Sequence, residues 1–213
     1  MNPRALRWCS IADLTLLPLF ILWFIWQLQF TARWTWIFFV LWLVVSFALH
    51  RDTPKTMGWR ADNLAPAARQ ALLVFGVMAA VLLLFGFALH MPTPALPHLF
   101  EWRRLGSYFA FCLLQQVALN SLLHNRMLSL VSSEWTAAAL TGLIFAIIHA
   151  PNPVLMPATF IAGVAMAWMF ARHRNIIPLA IGQAILGILV SWAFPLAWHH
   201  HLRVGPGFYT FPW

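Results

Sequence analysis

The stretch FCLLQQVALNSLLHNRM, from Phe111 to Met127, decides how this chain is read. Its apolar residues suit the interior of a membrane span, yet Gln115, Gln116, Asn120, Ser121 and His124 interrupt them. Gln116, Asn120 and His124 recur at i, i+4 and i+8, which on a helix is one face. Polar groups at bilayer depth are costly unless satisfied, so this stripe must face other protein segments and marks a functional candidate. The stretch therefore predicts one helix of a bundle with a polar seam inside it.

The whole composition supports a membrane setting. The 213 residues are 62% hydrophobic and 8% charged, and mean hydropathy is +0.77. A soluble domain carries about 25% charged residues, so too little charge is present to coat a water-facing surface. A soluble enzyme, a disordered chain and a disulfide scaffold are excluded. The expected fold class is all-α, a polytopic transmembrane helix bundle treated as a single domain over 1–213. Seven spans can be drawn: Ile11–Phe30, Trp34–His50, Ala71–His90, Gly106–Leu128, Thr136–His149, Val154–Ala171 and Ile176–Trp198. A crossing by the C-terminal tail would make eight. The apolar run from about Leu14 to Phe30 is too long for a signal peptide and lacks a small-residue cleavage site, so it is read as an uncleaved first helix.

The formal net charge is +8, but the basic residues lie in loops rather than on one face, which favours a membrane surface over nucleic acid. With the N-terminus inside, nine of the 13 basic residues fall on the inner side. That bias predicts the N-in orientation of a cytoplasmic (inner) membrane protein. Tryptophans near the span ends, such as Trp34, Trp135 and Trp198, fit the interfacial belt. The proline-containing segment Met91–Arg104 and the tail after Trp198 are read as interfacial. Cys9 and Cys112 stand too far apart in the layout to suggest a disulfide.

The other polar residues at depth gather toward the C-terminal half. The fifth span is about 14 residues, too short at 1.5 Å per residue for about 30 Å of hydrocarbon, and it ends in His149-Ala-Pro-Asn152-Pro. His149 is thus expected beside a broken backbone, an arrangement tolerated only inside protein or along a cavity. Gln183 lies four residues before Gly187 in the seventh span, and Ala158, Ala162, Gly163 and Ala167 in the sixth suggest close helix packing. The five acids, Asp13, Asp52, Asp62, Glu101 and Glu134, are all expected outside the bundle, Asp13 opening the first helix. His149 is then the only deep titratable candidate, with His124 a poorer one. Plainer roles compete with each of these. Amides in membrane helices serve as inter-helix glue worth about 0.6–2 kcal/mol, and His149 can be a packing histidine. His124 and Asn125 read as solvated residues at a helix end. The run His199, His200 and His201 reads as a wet interfacial segment rather than a metal site, because consecutive side chains point in different directions. No metal and no cofactor is predicted.

The order of these elements resembles the CPBP family (CAAX proteases and bacteriocin-processing enzymes, also called Abi), intramembrane endopeptidases of the glutamate type. The family carries E-E-x-x-x-R on one helix, F-x-x-x-H at the end of the next, and H-x-x-x-N or a close variant two helices later. Here Gln115-Gln116-x-x-x-Asn120, Phe145-x-x-x-His149 and Gln183-x-x-x-Gly187 occupy those places, which puts the family-like core at about 105–195. The second motif matches fully and is followed by Pro-Asn-Pro, whereas the first and third are neutralised.

In the family, paired glutamates and two histidines activate water for peptide hydrolysis. Glutamine keeps the shape of glutamate but accepts no proton near neutral pH. Loss of the arginine alongside the glutamates is physically coherent, since a buried guanidinium without a carboxylate is costly. The resemblance therefore implies a CPBP-like membrane protein with catalysis lost or altered. Gln115, Gln116, Asn120, Phe145, His149, Asn152 and Gln183 would bound a site for a membrane-embedded peptide or lipid-like ligand, or the chain would serve as accessory subunit of a membrane complex. Its expected surroundings are membrane lipid and a partner protein or peptide, not nucleic acid. Two alternatives stay open: an active endopeptidase with His149 as base and Gln115, Gln116 and Gln183 orienting water, and a haem- or metal-binding subunit.

Overall fold

The structure, a computed structural model, describes residues 2–88 and 102–210, with the backbone alone for 102–104. Most of the proline-containing segment, including Glu101, and the last three residues to Trp213 lie outside the described residues. The described residues form helices and no strand, in seven rods that correspond one to one with the seven expected spans. This is an integral membrane helix bundle.

The first rod begins eight residues earlier than expected. Asn2 accepts the backbone N–H of Arg4 at 3.0 Å and Pro3 occupies the first turn, so α1 runs Pro3–Trp23. It continues through a π-helical turn, Phe24–Leu28, and ends at Thr31, 29 residues in all. The second rod is a 3-10 turn at Arg33–Thr35 followed by α2, Trp36–His50. A short α3, Pro54–Met57, is closed by a Thr53–Thr56 capping box and ends at Gly58 with φ of 89°. A side chain there would strain the backbone and strike Phe170 and Ile176. The third rod, α4, spans Leu64–Ala88 and so takes in the end of the expected loop, because buried Ala67, Ala71 and Phe75 extend one apolar face.

The fourth rod is α5, Trp102–Gln116, then a π-helix Val117–His124 and α6, Asn125–Leu130. Ser133 caps α7, Glu134–Ile148, by accepting the Thr136 N–H at 3.2 Å. After the break at 149–154 come α8, Leu155–His173, and α9, Ile177–Ala193. The tail holds only α10, Leu196–His199, and two 3-10 turns, His200–Leu202 and Gly205–Phe208. None of these can cross a bilayer, so the described tail provides no eighth span.

Helices α7 and α8 pack closely. A Cβ added at Gly163 would stand 2.9 Å from the Gly142 Cα, and one at Gly142 would stand 2.9 Å from the Phe160 carbonyl oxygen. The two backbones therefore meet through glycine, as membrane helices do where lipid supplies no hydrophobic drive. Helix α9 lies against α4 and α5, with Gly182 seated on Phe75. Leu72, Leu73, Val77 and Leu84 on α4 are exposed, which in a bilayer is the lipid face.

The acids depart from expectation. Because α1 starts at Pro3, Asp13 lies in its third turn and is buried, 5% exposed, rather than opening the helix. It accepts from Trp42 Nε1 at 2.8 Å and Ser46 Oγ at 2.5 Å, and pairs with Arg126 Nε at 3.2 Å. Arg126 also reaches Asp52 at 2.6 Å. Arg126 is therefore the buried tie between α1, α2 and α6.

The tail also departs. His199 is 2% exposed, not wet, while His201 is exposed and the His200 ring stacks on Phe208 at 4.1 Å. Burial pushes the His199 imidazole below its ordinary range, and its histidine neighbours act in the same direction.

Candidate functional site

The polar stripe faces inward. Gln116, Asn120 and His124 are each fully buried. In an α-helix a four-residue step overshoots one turn, so the stripe would drift around the rod. The wider π turns over Val117–His124 counter that overshoot. His124, expected as a solvated end residue, is buried because α6 prolongs the rod by another six residues and α7 and α8 cover it. Asn125 is half-buried, donating to the Thr56 carbonyl at 3.0 Å and accepting from Arg174 at 2.7 Å.

Four of the sequence-predicted residues form one hydrogen-bonded chain. Asn120 Nδ2 donates to Gln116 Oε1 at 2.5 Å, Gln116 Nε2 donates to Gln183 Oε1 at 2.6 Å, and Gln183 Nε2 donates to Gln115 Oε1 at 2.6 Å. Two elements converge here: α5 with its π-helical extension supplies three amides, and α9 supplies the fourth. The direction of the chain is set by Met166 on α8. Its sulfur lies 2.9 Å from Gln116 Nε2, and a thioether can only accept. The Gln116 nitrogen must therefore face Met166 and Gln183, which orients every other amide in turn. No carboxylate or guanidinium joins this chain among the described residues. It can align a polar guest or lock two helices together, but none of its groups can take a proton from water at neutral pH.

His149 is not hydrogen-bonded to the four amides. It terminates α7, is half-buried, and its Nδ1–H donates to the Phe145 carbonyl at 2.6 Å. The lone pair is thereby left on Nε2, the tautomer a base requires. Phe145 is buried in the same apolar cluster as Leu119 and Met166, and its ring meets the His149 ring edge-on at 4.7 Å.

Asn152 is fully engaged elsewhere. Its Oδ1 accepts from Val154 at 3.1 Å and Leu155 at 2.9 Å, and its Nδ2 donates to the His199 and Arg203 carbonyls, both at 2.9 Å. It starts α8 and pins the tail to the break after His149.

Three participants had no signal in the sequence. Met166 and Thr141 look like ordinary helix residues, and only the fold sets them against Gln116 and His124. Tyr108 is the third: its hydroxyl fills the space where a Cβ on Gly187 would sit. The last position of the third motif is thus glycine because a tyrosine from α5 lies over it.

Residues 107–189 match the family described as type II CAAX prenyl endopeptidase Rce1-like. No curated protein and no solved structure matches the chain. The match covers the rods that carry all three motifs, and over that stretch the chain is similar to the CAAX protease family.

Proposed function

We propose that this protein keeps the CAAX-protease core as a neutral polar site that binds a membrane-embedded peptide or lipid-like ligand without cleaving it, on its own or as accessory subunit of a membrane complex. The observation that carries this reading is the amide chain Asn120–Gln116–Gln183–Gln115, linked end to end by hydrogen bonds between uncharged groups. Hydrolysis needs a group to accept the proton of water, and an uncharged amide cannot. The basic residues support an N-in orientation in the cytoplasmic membrane.

One observation favours a second reading, an active endopeptidase: His149 presents a free Nε2, held in place by the Phe145 carbonyl. Both readings meet in one assay. Purified protein in liposomes is given a CAAX-type peptide, beside a His149→Ala variant. The binding reading expects the peptide retained on the protein and intact. Cleavage that disappears in His149→Ala establishes the protease.

A further inference from the structure

Two buried polar atoms on the fourth rod meet no protein partner: Asn120 Oδ1 and His124 Nε2. Both side chains are 0% exposed and stand four residues apart on the π-helical segment, on the seam that faces α7 and α8. The other such buried atoms among the described residues, on Gln70, Trp168 and His199, are spread one to an element. An unsatisfied buried polar atom costs about 1–3 kcal/mol, and native proteins leave few.

The proton positions follow from the neighbours. Asn120 must donate through Nδ2, because Gln116 presents Oε1 to it, and Gln116 does so because its nitrogen faces the Met166 sulfur. That leaves Asn120 Oδ1 as an acceptor. For His124, the partner of Nδ1 is Thr141 Oγ1 at 3.0 Å, and the Thr141 hydroxyl already donates to the Ala137 carbonyl at 2.8 Å. His124 Nδ1 therefore carries the hydrogen, and Nε2 is a lone-pair acceptor. Two acceptors on one face, at an i, i+4 separation of about 5–6 Å between Cβ atoms, call for a guest with two donors.

We infer that Asn120 and His124 form a binding site for one structural water, which donates one hydrogen to Asn120 Oδ1 and the other to His124 Nε2. Water is the smallest double donor, and buried waters are typically held by two to four polar groups. A metal ion fits less well, since no group of three or more metal-ligating side chains exists among the described residues. The water joins the His124–Thr141 pair to the amide chain, so a continuous line of hydrogen bonds runs from Ala137 on α7 to Gln115 on α5. This inference stands on Asn120 and His124 alone and does not depend on whether the chain binds or cleaves a peptide.

Solid-state NMR of the full chain with ¹⁵N,¹³C-labelled histidine in lipid bilayers tests it. The chain has 9 histidines, and the signal lost in His124→Phe assigns the one in question. The wild type is expected to show His124 as the Nδ1–H tautomer, with Nε2 shifted by an accepted hydrogen bond and magnetisation passing to its ring from water. In Asn120→Leu that transfer is expected to vanish. A bare Nε2 without water transfer in the wild type overturns the inference, even if Asn120→Leu does not fold. So does transfer that persists in Asn120→Leu, or a His124 shift that moves on adding sodium or zinc ions.

Discussion

Arg126 shows what single residues contribute here. It is 3% exposed and holds Asp13 and Asp52 together, with Ser46 Oγ 3.1 Å from its Nη2. Replacing it with methionine leaves two carboxylates without their cation, and breaking a buried pair in this way costs about 3–5 kcal/mol. Arg126→Met is therefore expected to lower the thermal midpoint in detergent sharply. Asp13→Asn, which keeps hydrogen-bonding capacity for Trp42 and Ser46, should lower it less. Equal losses in the two variants would show that charge plays no part. The amides and His149 could be named from the sequence because a polar residue in an apolar run is conspicuous. Asp13 falls inside its helix because the helix start depends on Asn2 and Pro3, and Pro3 lies eight residues before the expected span. Thr141 and Met166 were invisible for a different reason: their roles exist only across helices.

At the scale of helices, the α7–α8 contact is the most constrained feature. Gly142 and Gly163 let the two backbones touch, and α7 carries Phe145 and His149 while α8 carries Met166. Overpacking a tight contact costs about 1–3 kcal/mol. Gly142→Val should lower the thermal midpoint accordingly and also release the Gln116–Met166 contact. Gly76→Ala, at a glycine with open space around it, should leave both unchanged. A Gly142→Val variant as stable as the parent would mean that the helices separate at no cost. Span order and the short fifth span were readable in advance because hydrophobic length and proline placement are local properties. Helix ends were less so. α4 reaches back into a polar loop to cover the core, and the α-to-π switch on the fourth rod answers to its neighbours rather than to its own residues.

For the whole molecule, the tail is fastened to the bundle by Asn152, by the Gly205 N–H donating to the Ala150 carbonyl at 2.9 Å, and by burial of His199. A histidine held below its ordinary range when folded must lose its proton to dock, so the unfolded tail binds more protons than the docked one. By linkage, docking is unaffected above the unfolded imidazole's value of about 6.5 and weakens as pH falls below it. The protection factor of the Gly205 amide, corrected for the intrinsic exchange rate, should accordingly fall between pH 7.5 and 5.5 and stay flat in His199→Phe. A protection factor that is independent of pH in the wild type would contradict this.

The family core and the chemistry of its site pull in different directions. The Rce1-like match and the motif order come with the fold, whereas every position at which the family holds a titratable or charged group, apart from His149, is an amide here. We propose that the missing charges, not a missing scaffold, remove proteolysis. Cleavage of a CAAX-type peptide in liposomes tests it most directly, comparing the wild type with a variant carrying Gln115→Glu, Gln116→Glu, Asn120→Arg and Gln183→His together. No cleavage by the wild type and measurable cleavage by the variant are expected. Cleavage by the wild type that depends on His149 would contradict it.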